Sequence, residues 1–176
     1  MVSLGTRFGK PLFRRFPLPG THEDLLEAMT AVSRHLFRLM TQCLTELGEG
    51  NEVSATQYRA LASLALRGPR NASVLAEELG VGRPATTKLV DRLVRRRLIN
   101  RKRDTVDRRQ VILEVSDKGR EVVRAVQQCR RRKLRRVLSE LDPEAREALT
   151  RDLPSLLDAF SHITASTLPP ELVRTP

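Results

Sequence analysis

The side chains of this sequence with the clearest capacity for chemistry are cations and hydroxyls gathered between residues 83 and 109. Guanidinium and ammonium groups bind phosphate oxygens and guanine edges, and threonine suits phosphates and the methyl group of thymine. Residue types of this kind, clustered along one segment, favour a nucleic acid as the partner. The set comprises Arg83, Thr86, Thr87, Lys88, Arg92, Arg101, Arg103, Arg108 and Arg109.

The charge of the whole chain points in the same direction. Its 176 residues carry a formal net charge of +11, and residues 95–109 hold eight basic and two acidic side chains. Clustered positive charge on a chain that can form a core favours a polyanionic partner. A second basic run covers residues 130–136, where a solvated helix face and phosphate contacts are both open interpretations.

Other functional classes lack their sequence signals. The chain has no Gly-rich phosphate loop and no plausible grouping of Ser, His and Asp, so we expect neither an enzyme nor a cofactor. His22, His35 and His162 lack metal-ligand spacing, so no metal site is expected. No apolar run approaches the ~18–20 residues of a membrane span, and two cysteines do not make a disulfide scaffold. We therefore expect a cytoplasmic protein with no membrane partner.

Both halves of the chain contain long helical patterns. Thr21 is a suitable cap for a first helix, whose apolar residues recur every three or four positions until Gly48. A further helix is predicted over residues 120–138, and another from Asp142, which Pro154 should kink or restart. Apolar stripes of this length cannot be buried within their own helices, so they need distant segments or another chain.

Between these long helices lie shorter elements. Ser54-Ala-Thr-Gln57 forms a capping box before a second helix, and two more helices follow from about Ala72 and Pro84. The period then changes to that of two strands, Ile99–Arg103 and Gln110–Val115, which form a β-hairpin. Three helices followed by a basic hairpin predict a winged helix-turn-helix, in which the last helix enters the major groove of DNA.

Four segments match a known family pattern in both order and context. They are Leu75–Val81 in the first helix of the turn motif, Thr86–Val94 in the recognition helix, Leu98–Arg109 in the wing, and Ser116–Gly119 before the next long helix. The wing includes the signature Asp-Arg-Arg at residues 107–109. Over about residues 21–165 the chain resembles the MarR family of bacterial transcription regulators.

This resemblance implies a mainly α fold with a small β-hairpin wing and a homodimer that binds double-stranded DNA. Two lobes would occupy successive major grooves of a pseudo-palindromic operator, about 10 bp apart, with a ligand-responsive repressor as the expected function. A DNA-binding architectural protein without sequence preference is the alternative. The implied layout is a basic arm (1–20), a dimerisation region (21–52 and 119–165), a winged helix-turn-helix lobe (53–118) and a tail (166–176).

The resemblance also implies roles within the wing. Asp107 would hold the wing by pairing with a nearby arginine. One of Arg108 and Arg109 would serve that pairing and the other would enter the minor groove; we favour Arg109 for DNA, while both could instead brace the hairpin. Arg101 and Arg103 alternate with Lys102, so only one face of this set can meet DNA.

Two positions depart from the family pattern, and both lie beside the recognition helix. Many relatives carry Gly where this chain has Arg97, so Arg97 must adopt an uncommon backbone conformation or the turn must differ. Gly82 stands where a Ser or Thr cap is common, which affects the fine geometry of the helix start.

Relatives often bind small phenolic or anionic effectors between the dimerisation helices and the lobe. The cationic and aromatic residues available for such a cleft are Arg34, His35, Arg38 and Tyr58. Cys43 and Cys129 fall on or near apolar stripes, where a buried and inert cysteine is the commoner case, although oxidant sensing stays open.

Overall fold

A computed structural model describes residues 20–48, 52–103 and 110–167, with side chains as far as residue 163. The described chain is mainly helical and contains a small antiparallel sheet, which confirms the predicted fold class. Its elements in order are α1 (His22–Thr45), α2 (Ala55–Arg67), β1 (Arg70–Asn71), α3 (Ala72–Leu79), α4 (Arg83–Arg95), β2 (Ile99–Arg103), β3 (Val111–Val115), α5 (Asp117–Ser139) and α6 (Pro143–Thr167).

Side-chain caps define where most of these helices begin. The capping box at α2 is confirmed, because the Gln57 N–H donates to Ser54 Oγ and the Ser54 N–H donates to Gln57 Oε1. Thr21 caps α1 in the same reciprocal manner with Asp24. The Thr21 hydroxyl also donates to the Asp24 carboxylate, which lowers the pKa of that group. Each cap satisfies backbone donors that have no partner within the helix.

The sheet has the strand order β1–β3–β2, with β2 and β3 forming the predicted hairpin. Strand β1 was not predicted from the sequence. It consists of Arg70 and Asn71, which pair with Leu113 and Ile112, and two residues are too few to show an alternating pattern.

Helix α6 runs through Pro154 without interruption, so the expected restart does not occur. Proline removes one backbone hydrogen bond, and the remaining turns of a helix of 25 residues continue on either side of it.

The described chain divides after Leu39 into two units. The first contains the beginning of α1, and the second contains the end of α1 and all later elements. The core of the second unit lies where α2, α3, α4, the sheet and α5 meet. Its fully buried side chains include Leu61, Leu64, Leu75, Leu93, Leu113 and Val126.

A charged cluster is also buried in this unit. The Glu78 side chain on α3 is 6% exposed, and its carboxylate pairs with Arg70 of β1, accepts from Ser63 of α2 and pairs with Arg67 at 3.2 Å. Arg70 in turn donates to the backbone carbonyl of Arg67 at the end of α2. A buried carboxylate needs such partners to offset the loss of water, so this cluster fixes α3 against α2 and the sheet.

Leu98 lies at the junction of α4, the hairpin and α5. Its N–H donates to Leu93 of α4, and its carbonyl accepts the N–H of Ser116, the residue that caps α5. Gly119 packs directly on that carbonyl, since a Cβ built on Gly119 would lie 2.1 Å from the Leu98 oxygen and 2.8 Å from Val115 Cγ2. Only glycine fits there, which explains the glycine of the segment 116–119.

Arg97 has a φ of 58°, in the left-handed region, so the uncommon conformation expected from the sequence is confirmed. The Arg97 N–H donates to the Val94 carbonyl and the Leu98 N–H to the Leu93 carbonyl, which is the pattern of a Schellman helix end. Glycine is the usual residue at this position because it has no Cβ.

Replacing Gly119 with alanine tests the close contact at Leu98. The added Cβ would overlap a backbone oxygen that cannot rotate away, so Gly119→Ala should lower the free energy of unfolding by about 2–4 kcal/mol. Lys118→Ala at the exposed neighbouring position is the control and should change it by less than about 0.5 kcal/mol. Urea denaturation at a fixed protein concentration measures both, and equal stability of the two variants would contradict the packing described.

Replacing Arg97 with glycine tests the strain in the turn. The left-handed conformation costs a side-chain residue about 1–2 kcal/mol, and glycine loses about 0.5–1 kcal/mol through the greater entropy of the unfolded chain. Arg97→Gly should therefore raise the free energy of unfolding by about 0.5–1 kcal/mol. Arg97→Ala removes the same charge but keeps the Cβ, so a similar rise in both variants would assign the effect to charge instead.

Candidate nucleic-acid interface

Helix α4 has one face buried in the lobe and one face exposed. Thr86, Val90 and Leu93 form the buried side, while Lys88 and Arg92 are exposed on the opposite side. Arg83 and Thr87 are also exposed, at the beginning of the helix. The buried side holds α4 on the lobe, and the cations of the other side are presented to solvent together.

Thr86 differs from the sequence prediction. It is 1% exposed, and its hydroxyl donates to the Gly82 carbonyl one turn earlier. A side chain enclosed in this way cannot reach a phosphate or a base, so the prediction that it contacts DNA was wrong. The polar type of Thr86 suggested the surface, whereas helical periodicity places it on the same side as Val90.

The approach to α4 is a tight turn. Gly80 ends α3 in the left-handed conformation, with a φ of 66°, and the Val81 N–H donates to the Ala76 carbonyl. Gly82 then begins α4 with its backbone alone, and Pro84 follows in the first turn, as predicted. These residues set the angle between the two helices of the turn motif.

The hairpin lies beside α4 and is tied to it by an ion pair between Arg101 of β2 and Asp91 of α4. Lys102 projects to the opposite face of the strand, where it pairs with Glu114 of β3 and lowers the pKa of that carboxyl. Arg103, at the end of β2, is exposed. Arg101 and Arg103 share one face, and part of the charge of Arg101 is matched within the protein.

Asp107, Arg108 and Arg109 lie outside the described residues, which resume at Gln110. Their roles in the wing therefore stay predictions.

The residues expected to line an effector cleft occupy both units. Tyr58 is 5% exposed and lines a cavity of about 570 Å³ together with Arg59, Arg67 and Arg130. Among these residues, only Tyr58 was predicted from the sequence. Arg34, His35 and Arg38 are exposed on α1, within the first unit.

Sequence reasoning also missed the relation between the two cysteines. Cys43 on α1 and Cys129 on α5 are both buried, as expected, but they are joined in a disulfide rather than separate. Their positions on apolar stripes indicated burial, and the 86 residues between them gave no signal of pairing.

Within residues 20–48, 52–103 and 110–167, no group of three or more His, Cys, Asp or Glu side chains could hold a metal ion. None of the helices in these ranges is both long and apolar enough to cross a membrane.

Comparison with known proteins identifies the arrangement. The sequence model of the MarR family matches residues 53–111, which run from just before α2 to the start of β3. An HTH-type transcriptional regulator of Mycobacterium bovis is 32% identical over 127 residues, covering 72% of this chain and 82% of that protein. The HTH-type transcriptional repressor MdtR of Bacillus subtilis is 34% identical over 97 residues, covering 55% of this chain and 63% of the repressor.

A solved structure gives the same result for the fold. The crystal structure of RV1404 from Mycobacterium tuberculosis matches with a TM-score of 0.72 and 31% identity, covering 81% of this chain and 97% of that one. The fold is thus shared over nearly the whole length of that structure. The chain belongs to the MarR family of HTH-type transcriptional regulators.

Proposed function

We propose that this regulator acts as a repressor that binds double-stranded DNA as a homodimer, with α4 of each copy in a major groove and the hairpin alongside. The observation that carries the proposal is the cationic side of α4, where Lys88 and Arg92 are exposed opposite a buried apolar side. A helix fits the major groove, and these side chains suit phosphates and guanine edges. Repression is favoured by the likeness to MdtR, which is named a repressor.

The proposed DNA surface keeps the residues of the sequence prediction except Thr86, which is buried. Arg101 would serve chiefly to orient the wing, because its guanidinium pairs with Asp91. Arg103 would contact phosphates from the hairpin, and one of Arg108 and Arg109, with Arg109 favoured, would enter the minor groove. The remaining members, on α4, are Arg83, Thr87, Lys88 and Arg92.

Apolar surface on two helices supports the homodimer. Leu25, Val32 and Leu36 of α1 are 42–56% exposed, and Leu153 and Leu157 of α6 are 45% and 57% exposed. Large apolar side chains repeated along a helix are usually buried against a partner, and a second copy of the chain offers the same surfaces. A dimer would place two α4 helices on one duplex, so we expect a pseudo-palindromic operator.

The effector is proposed to be a small phenolic or anionic molecule bound in the cavity lined by Tyr58. Arg59 and Arg130 would match its negative charge and Tyr58 its apolar body, while Arg67 on the same lining is paired with Glu78. A regulator of bacterial transcription would act in the cytoplasm, where its DNA lies.

Binding to duplex DNA at ~150 mM salt tests the proposed function. The fragment upstream of the protein's own gene should bind at least ~10³-fold more tightly than a scrambled duplex of equal length. If the two affinities are equal, selection of bound genomic fragments follows. Failure of that selection to enrich any sequence would favour the architectural alternative and contradict an operator-binding regulator.

Removing single charges tests the proposed DNA surface. Arg92→Ala and Arg109→Ala should each weaken binding and reduce the slope of log K against log salt by about one unit, because each loses one phosphate contact. Arg151→Ala removes the same charge from α6, where Arg151 is paired with Asp152, and should leave the slope unchanged. A slope equal to that of the unmodified protein would place the tested arginine away from DNA.

Light scattering coupled to size-exclusion chromatography tests the homodimer. The protein should elute with the mass of two chains at micromolar concentration. Leu153→Glu puts a charge on the apolar surface of α6 and should shift the population toward single chains, whereas Ser155→Glu, at an exposed position nearby, should not. A single-chain mass for the unmodified protein would refute the homodimer.

A further inference from the structure

Two cysteines on different helices meet inside the second unit. Cys43 lies near the end of α1 and is 1% exposed, and Cys129 lies in the middle of α5 and is 6% exposed. They are joined in a disulfide, with their Cα atoms 5.7 Å apart. This separation is ordinary for a disulfide, so the backbone of the two helices already suits the bond.

Contacts other than the disulfide hold the same two helix segments together. The Glu46 carboxylate, just after α1, pairs with Lys133 of α5 at 2.7 Å and with Arg132 at 3.4 Å. The pairing with Lys133 lowers the pKa of Glu46, which keeps the carboxylate charged. These ion pairs do not involve sulfur, so they can keep the cysteines adjacent when the disulfide is reduced.

In the reduced state, the Cys129 thiol also has a hydrogen-bond acceptor nearby. Cys129 Sγ lies 3.2 Å from Glu46 Oε2, within the distance at which an S–H can donate to a carboxylate. The buried sulfur can therefore be accommodated in both redox states, as a disulfide with Cys43 or as a thiol that donates to Glu46.

A cavity gives small molecules a route to the sulfurs. Its volume is about 400 Å³, and its lining includes both cysteines together with the charged residues Glu46, Lys118, Glu121 and Arg132. A charged lining admits water, and hydrogen peroxide, the simplest hydroperoxide, is little larger than water and similarly polar. Larger oxidants are disfavoured by the burial of both cysteines.

The position of the disulfide in the chain gives it a large effect on folding. The loop it closes extends from Cys43 to Cys129 and contains α2, α3, α4, the whole sheet and the start of α5. A crosslink around a loop of this length removes many conformations from the unfolded chain, so it stabilises the folded lobe.

We propose that Cys43 and Cys129 form a reversible redox site, oxidised by a hydroperoxide and reduced by a dithiol, that sets the stability of the DNA-binding lobe. The inference draws on the proposed function in one respect: in the cytoplasm, disulfides are uncommon and usually transient or redox-sensing. The two cysteines lie close enough to form a disulfide, and the cavity gives an oxidant access to them. Glu46 can accept a hydrogen bond from the Cys129 thiol in the reduced state.

Oxidation of the two thiols by a hydroperoxide proceeds in two steps. One thiolate attacks an oxygen of the hydroperoxide, which forms an S–O bond, breaks the O–O bond and gives a sulfenic acid. The leaving alkoxide or hydroxide takes a proton and becomes an alcohol or water. The other thiolate attacks that sulfur, forming the S–S bond and releasing hydroxide, which is protonated to water. Two thiols are thereby oxidised by one hydroperoxide. A dithiol reverses the change by exchange, becoming a disulfide itself.

The test follows thiols and thermal stability in the intact protein. The sequence contains two cysteines, so every thiol counted belongs to this pair. After reduction we expect two thiols per denatured chain, and after one equivalent of hydrogen peroxide none, with a mass lower by two hydrogen atoms. The oxidised protein should melt about 5–15 °C above the reduced protein, and dithiothreitol should restore two thiols and the lower melting temperature under native conditions.

Variants at each cysteine provide the controls. Cys43→Ser and Cys129→Ser should melt at the same temperature with and without dithiothreitol. If either variant does not fold, the thiol count and melting temperature of the unmodified protein still decide the question. The proposal is overturned by thiols that persist after peroxide, by crosslinks between chains on a non-reducing gel, by a disulfide that dithiothreitol cannot reduce in the native protein, or by equal melting temperatures. None of these readouts involves DNA, so they are separable from a failure of the proposed function.

Discussion

The contact between Gly119 and the Leu98 carbonyl is the constraint on which the geometry of the lobe depends. The same carbonyl accepts the N–H of Ser116, and the Leu98 N–H closes the end of α4 on Leu93. Three elements therefore meet at one residue: the end of α4, the base of the hairpin and the start of α5. Since a Cβ cannot be placed at Gly119, the helix axis of α5 approaches the backbone more closely than any other residue would allow. The positively charged Arg97 is held in a left-handed conformation by the same junction.

The electrostatics of the lobe follow from this packing. Val90 and Leu93 bury one side of α4, so its cations are left on the other side. The ion pair between Asp91 and Arg101 fixes the hairpin relative to α4 at its exposed edge, where it contributes orientation more than stability. The buried carboxylate of Glu78 holds α3 against α2 and the sheet in a similar way. Loss of one of its partners would leave an uncompensated charge. Helix α4 is thus tied to the hairpin, and helix α3 is tied to α2 and the sheet.

Local chemistry was predictable from the sequence, and pairing across the fold was not. The caps at Thr21 and Ser54 act through neighbouring residues, so their sequence signals were sufficient. The strain at Arg97 was also foreseeable, because the family pattern has glycine there and the geometry of a helix end requires it.

Other features were predicted wrongly or missed. The polar side chain of Thr86 suggested an exposed position, whereas helical periodicity places it on the buried side of α4. Strand β1 and the disulfide were missed because each depends on a partner tens of residues away, which no local pattern specifies. The wing signature at 107–109 is the reverse case, with a clear sequence motif and no described geometry.

Helix α5 connects the two most specific features of the second unit. It begins on the Leu98 carbonyl through Gly119, and it carries Cys129 ten residues later, about 15 Å along the helix axis. A helix is stiff over this distance, so a restraint at Cys129 restricts the rotation and translation of the segment that packs on Leu98. Because α4 and the hairpin end at the same junction, the disulfide acts on the element that positions the cationic surface, although it lies apart from that surface in the chain. The close fit that excludes a methyl group at Gly119 also makes the junction poorly compressible, so α5 and the end of α4 cannot move independently there.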